Sequence, residues 1–356
     1  MSEITSFKCA CCGAELKFSS GSQKMSCEYC GTEFDVEAVQ ELADAQRPAE
    51  ENISWESYQS QTLDPETGMC TYICNSCGAE IVGDQSLAAS ECPYCGNTVV
   101  MDNNVSGMMK PDYVIPFKVD KNAAVAKFKE FCKGRVLLPS GFMNEHRIEK
   151  IEGVYVPYWL FDAKAKARIR FRAQRVTCWT EGDYDVTKTD HFMLYRAGSM
   201  EFDHVPVDGT SKLEGDITEA VEPFDMKGAE EFRSAYLSGF LADRYDIDAE
   251  QSKPRANERI KESIRNALAD TCSEYTSVIP EQENISLESG KINYALLPMW
   301  LLTAKYKGKL YRFAMNGQTG RFVGELPVSV GKAVGIFVGL TAVLTIVFNI
   351  IFNLFM

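Results

Sequence analysis

Basic side chains are scarce at the front of this chain. Residues 1–101 carry 4 Lys or Arg against 16 Asp or Glu, a net of −12 within a whole-chain total of −13. Subtraction leaves 33 basic and 34 acidic residues for 102–356. Affinity for a polyanion comes from Lys and Arg displacing counterions, so the front is not built for generic nucleic-acid binding. Histidine is rarer still. His146, His191 and His204 are the three in the chain, none stands at metal-ligand spacing, and His191 and His204 lie in strand-like text that marks them as structural. Neither a G-x-S-x-G nucleophile turn nor a Gly-rich dinucleotide fingerprint occurs. VSVGKA at 328–333 fails as a phosphate loop, because Leu326 and Ala333 stand where that motif needs Gly and Ser or Thr. The expectation is a protein that is not an enzyme. The first residues show no charged segment leading into an apolar run, so no secretory signal is expected.

Cysteine is abundant, with 13 in the chain, and without a secretory signal such a count suggests metal ligation before disulfides. Cys9, Cys12, Cys27 and Cys30 form C-x2-C-x14-C-x2-C, and Cys74, Cys77, Cys92 and Cys95 repeat it 65 residues later. Glycine follows each pair, at Gly13, Gly31, Gly78 and Gly96. A C-x2-C turn sets two thiolates on one edge of a tetrahedron, and a short hairpin returns with the second pair. A redox dithiol or chance spacing competes with this reading, but two matching copies favour two structural Zn2+ sites. Four thiolates close the coordination shell and leave no place for a reactive water. Of the remaining cysteines, Cys11 and Cys70 stand near enough to ligands to be the first candidates for redox sensitivity. The second ribbon has no Lys or Arg between 71 and 101, so a protein partner fits it better than nucleic acid.

The expected organisation is multidomain: ribbon 1 at 1–34, an acidic helix and linker at 35–69, ribbon 2 at 70–101, an α+β domain with a largely antiparallel sheet at 110–327, and a transmembrane helix at 333–356. Lys121 to Lys133 has the spacing of an amphipathic helix facing inward with Ala124, Phe128 and Phe131 or Cys132. A second helix is expected from near Pro254, with Ile260, Ile264, Leu268 and Cys272 in phase. Val154 to Val207 reads as strands broken at Gly182–Asp183, Ala197–Gly198 and Asp208–Gly209. An internal echo at an offset of 141 aligns IEGVYVPYWLFDAKAKARIRFRA from Ile151 with INYALLPMWLLTAKYKGKLYRFA from Ile292, as two copies of one strand-pair unit would. Within it Lys164, Lys166, Arg168, Arg170 and Arg172 fall on one face of a strand. The acidic residues Asp183, Asp185, Asp190, Glu201 and Asp203 that follow are the expected cross-strand partners, with anionic lipid headgroups as the alternative use of this face.

Residues 333–356 are 24 uncharged positions, enough at about 1.5 Å per residue to cross about 30 Å of hydrocarbon. Lys332 and Arg321 precede the segment and nothing basic follows it, so the positive-inside rule places the bulk of the chain in the cytoplasm. Gly331, Gly335 and Gly339 form overlapping G-x3-G motifs, a face through which the helix could form a homo-oligomer.

VIPFKVD, IEGVYVPYWLFDA, VPVDGTSK, ANERI, YALLPMWLL and FAMNGQTGRFVGELPV, with the ribbons and the apolar end, resemble bacterial TFIIB-type zinc-ribbon membrane proteins, often labelled primosomal helicases. That label can rest only on the ribbons, since helicase motor motifs are missing. The resemblance implies a single-pass anchor in the cell membrane, working in envelope stress or membrane homeostasis. It is similar to proteins found with phage-shock protein A and with SPFH-domain partners. The function expected is a scaffold whose ribbons recruit a cytosolic or peripheral membrane protein, the alternative being a membrane-tethered nucleic-acid binder.

Overall fold

The computed structural model describes residues 7–9, 13–39, 55–58, 69–84, 91–97, 99–102, 109–142 and 151–355. In chain order the elements begin with β1 (Leu16–Ser19), β2 (Lys24–Cys27), β3 (Glu33–Phe34), β4 (Met69–Ile73), β5 (Glu80–Asp84), β6 (Val100–Asp102) and β7 (Tyr113–Val114). Helix α1 (Lys121–Cys132) leads to two long strands, β8 (Glu152–Glu181) and β9 (Tyr184–Asp208). Then come α2 (Gly215–Val221), β10 (Glu230–Glu231), β11 (Leu241–Asp243) and α3 (Ala249–Asp270). The chain ends in β12 (Ser277–Tyr306), β13 (Lys309–Asn316), β14 (Phe322–Gly324) and α4 (Val330–Phe355). It divides into two compact units. One holds Met1–Tyr58, Phe161–Val205 and Lys253–Ile292, and the other holds Gln59–Leu160, Pro206–Ser252 and Asn293–Met356. Most of the expected 35–69 linker helix lies outside the described residues, as does His146.

In the first unit β1, β2 and β3 make a three-stranded antiparallel sheet with a small core of its own, Cys9, Leu16, Met25, Cys27 and Val39. Elsewhere in that unit β8 alternates as the sequence predicts. Ala163, Ala165, Ala167, Ile169, Phe171 and Ala173 face inward against Ile260 and Ile264 of α3, and the basic residues between them point out. Their partners come from two strands. Lys164 pairs with Glu201 on β9, as expected, whereas Lys166 reaches Glu288 and both Arg170 and Arg172 reach Glu281 on β12. Ala197–Gly198 does not break β9. A Cβ on Gly198 would meet Leu268 at 3.3 Å, so this glycine serves a close approach of α3 and not a turn. Trp55 lies against Gly290, where no side chain would fit, and its indole N–H donates to Asn257 at 3.1 Å. The backbone N–H of His204 donates to the Asp162 carboxylate at 2.6 Å.

In the second unit the strand order is β10-β7-β12-β8-β11-β5-β4-β6, with β13 and β14 continuing from β12. Pairing is mostly antiparallel; β11 runs parallel to β8 and β7 parallel to β12. The core combines Val154, Val156, Tyr158 and Leu160 with Leu297, Met299 and Leu301. Helix α1 starts because the Asp120 carboxylate accepts the N–H of Ala123 at 2.8 Å, and it buries Ala124, Phe128 and Cys132. Helix α3 begins five residues earlier than Pro254 suggested. Asp248 and Gln251 cap each other reciprocally, Asp248 accepting from the Gln251 N–H and Gln251 from the Asp248 N–H, which starts the helix ahead of the proline.

The internal echo does not give two copies of one strand pair. In its second copy Lys307 and Gly308 take positive φ (48° and 80°) and turn β12 into β13. In the first copy the matching Lys166 and Ala167 stay extended inside β8, because alanine cannot take the conformation that Gly308 supplies without strain. Helix α4 is long and apolar enough to cross a membrane, and none of its apolar span is buried within the protein.

Candidate metal centres

At each C-x2-C-Gly segment the described backbone closes in the same way. The glycine N–H donates back to the first cysteine's carbonyl (Gly13 to Cys9, Gly31 to Cys27, Gly78 to Cys74 and Gly96 to Cys92, all at 2.8–2.9 Å). The first cysteine's own N–H then closes on the carbonyl beyond the glycine, as Cys74 does on Ala79 at 2.9 Å. This turn needs positive φ at the fifth position, and the four glycines have φ of 69° to 76°. The chain direction reverses there, so the two thiols come together in the described pairs Cys27/Cys30, Cys74/Cys77 and Cys92/Cys95.

In the second unit the knuckles bring Cys74, Cys77, Cys92 and Cys95 together with all four sulfurs within 4.8 Å of one another. Cys74 lies 3.5 Å from Cys95, and Cys77 lies 3.6 Å from Cys92. Four sulfurs at about 2.3 Å from one tetrahedral ion would stand about 3.8 Å apart, so the cluster fits a metal ion with little adjustment. Burial opposes ionisation of Cys74, but backbone N–H groups of Cys77 and Ser76 bring its thiol down to about 7. Burial pushes the Cys77 and Cys92 thiols up. A bound cation reverses that cost by stabilising all four thiolates, with release of protons.

This cluster is part of a folded core. Strand β4 pairs with β5 and β6 around it, β5 pairs with β11, and β11 joins β8. Cys70, Tyr72, Cys74, Ile81, Cys92 and Tyr94 share one buried cluster with Val154, Val156 and Leu160. The segment expected as a separate ribbon at 70–101 therefore hydrogen-bonds into the large sheet. Two residues that sequence reasoning missed fix the second knuckle. Thr303 donates to the Pro93 carbonyl at 2.6 Å and the Arg312 guanidinium to the Tyr94 carbonyl at 3.2 Å. Asn97 bridges Ser76 and the Cys95 sulfur. Lys212, paired with Asp246 at 3.0 Å, supplies a cation beside Cys77. Behind the knuckle Asp243 is fully buried. Thr210 donates to one of its oxygens at 2.8 Å, and neither its other oxygen nor the Tyr94 hydroxyl has a well-formed hydrogen bond. Burial raises the Asp243 carboxyl to about 7.

In the first unit Cys9, Cys27 and Cys30 assemble in the same way, with Cys9 and Cys30 3.6 Å apart, matching the Cys74–Cys95 edge. Cys12, the fourth expected ligand, lies outside the described residues, as does Cys11. Cys30 is exposed, and the hydroxyl and N–H of Thr32 hold its thiol down to about 6. Tyr29 here is 84% exposed, while Tyr94, its counterpart in the second knuckle, is 1% exposed. Lys17 is tied to Glu28 at 2.8 Å and Lys24 to Asp35 at 3.3 Å, which occupies two of the ribbon's cations. Cys70 is buried with its thiol 3.6 Å from the Gly83 carbonyl and belongs to neither cluster.

The chain is similar to a protein of Bacillus subtilis (strain 168) described as "Uncharacterized protein YdjG", 32% identical over 329 residues that cover 92% of each chain. No family model matches the chain. No solved structure matches it.

Proposed function

The chain belongs to the family of Bacillus subtilis YdjG, and from that premise we propose that it is a membrane-anchored scaffold. In this reading it holds two structural zinc ions and recruits a protein partner through its first ribbon. The carrying observation is the contrast between the two cysteine clusters. One is built into a core, where a metal holds the fold, and the other stands in a small sheet that presents Tyr29 and Phe18 to solvent. Exposed aromatics on a rigid, metal-stapled hairpin are the side chains that anchor protein interfaces. Thiolate-only ligands suit zinc, and four of them leave no open coordination position, so the chemistry of the donor set is structural and not hydrolytic.

Helix α4 is the anchor in this reading, with the units on the cytoplasmic side by the Lys332 and Arg321 asymmetry. The resemblance to zinc-ribbon membrane proteins suggests a partner of the phage-shock-protein-A or SPFH-domain type. Pairing of Lys17 and Lys24 with acids argues against a phosphate-binding face on ribbon 1.

The test is a crosslinked pull-down from native membranes, comparing the wild type with Phe18→Ala/Tyr29→Ala, with and without nuclease. Losing two exposed aromatic anchors should cut recovery of a specific client at least tenfold, at about 1–2 kcal/mol each, with nuclease changing nothing. Equal recovery from both samples would remove ribbon 1 as the recruiting surface. Loss on nuclease treatment alone would put a tethered nucleic-acid binder in its place.

A further inference from the structure

We propose that the loop at 134–138, latched to the first turn of α4, is an interfacial site that binds an anionic phospholipid where the helix enters the bilayer. The inference rests on the membrane reading of α4. The latch is specific: the Ser329 N–H donates to the Leu137 carbonyl at 2.8 Å and the Lys332 ammonium to the Leu138 carbonyl at 2.7 Å. The loop is therefore level with the start of the apolar helix, the depth at which headgroups meet acyl chains.

Its composition suits that depth. Val136, Val328 and Val330 are 68%, 60% and 73% exposed, and Leu137 is exposed beside them. An aqueous surface has little use for three exposed aliphatic side chains, Val136, Leu137 and Val328, around one cleft. The cleft, about 420 Å³, is lined by Phe131, Val136, Leu137, Leu138, Leu326 and Val328, with no acidic residue in its wall. Cations stand at its rim. Arg135 is exposed and sits 5.7 Å over the Phe131 ring, and Lys133 is exposed near it in the chain. Residues 127–137 hold four basic side chains to one acidic, in a chain whose net charge is −13. A guanidinium and an ammonium above an apolar cleft match a phosphate above an acyl chain. A free soluble anion would have no use for the aliphatic floor.

The experiment uses the full chain reconstituted in phosphatidylcholine vesicles with or without phosphatidylglycerol. A photoreactive benzoylphenylalanine side chain replaces Val136, or Val343 in α4, or the solvent-exposed Tyr184 at the start of β9. Light should attach lipid at positions 343 and 136 but not at 184. Phosphatidylglycerol should raise the yield at 136, and Arg135→Gln should lower that rise about fivefold, as for one basic residue at an anionic surface. Lipid at 343 with none at 136 would overturn the loop site and leave the anchor standing. No lipid at 343 would overturn the anchor and the loop together. Equal yield at 136 in both vesicles would contradict the anionic preference.

Discussion

Tyr29 and Tyr94 occupy the same place in the two cysteine repeats, one residue before the last ligand, yet one is exposed and the other is buried against Asp243. The four-cysteine spacing is the same in both halves; the surroundings differ. Around Cys74 the adjoining strands β4 and β5 pair onward into the large sheet, and Thr303 and Arg312 bond the second knuckle's carbonyls. Around Cys27 the strands, among the described residues, pair only with each other, and ion pairs cover the rim. A repeated cysteine motif thus specifies a local knuckle, while strand pairing beyond it decides whether the cluster is a keystone or a module.

The largest effect should come from removing a ligand of the buried centre. In the proposed zinc reading the ion would contribute about 10 kcal/mol or more, comparable with the whole stability of a domain. Cys92→Ser is therefore expected to leave the second unit unfolded. Cys27→Ser should leave its thermal transition in place, and detergent-solubilised protein followed by circular dichroism would separate the two. Next, Tyr94→Ala should cost about 3–5 kcal/mol through the cavity it opens. Tyr29→Ala should change stability by about 0.5 kcal/mol or less, and a urea titration of both variants would show a reversal if the burial contrast is wrong.

The buried Asp243 predicts a pH dependence confined to the second unit. Its carboxyl has a reference value of 3.8 unfolded and about 7 folded, so the folded state holds the proton more tightly. Stability contributed by this group is present below about pH 4, is lost as pH rises toward about 7, and is level beyond. Asp243→Asn should abolish that slope, worth up to about 4 kcal/mol, in denaturation midpoints compared across this range. The smallest effect should be at the surface of ribbon 1, where Lys17→Met removes the exposed pair with Glu28 and should leave the urea midpoint where it stands in the wild type.

The knuckles were legible because a thiol pair plus glycine leaves few backbone solutions, and α1 because its apolar stripe keeps helical spacing. The merger of the second ribbon with the sheet was not legible. It depends on the short strand β11, whose Leu241 pairs with Val154 and whose Ala242 pairs with Val82, and three residues carry no periodic signal. The long β8 was misread as half of a repeated hairpin because the echo preserves Pro157, Trp159 and Lys166, while the one difference that matters is Ala167 against Gly308. Similarly, Gly198 looked like a turn because close packing by Leu268 and a chain reversal both call for glycine. Thr303 and Arg312 carry no motif; only tertiary pairing brings them to the knuckle.

The most direct test of the keystone-and-module account is amide hydrogen exchange on the full chain during slow metal chelation. The account predicts that residues 13–34 lose protection first, while 70–84 stays protected. That segment should then open only together with 152–160 and 241–243, as one cooperative unit. Simultaneous opening of both cysteine clusters, or opening of 70–84 while 152–160 and 241–243 remain protected, would contradict it.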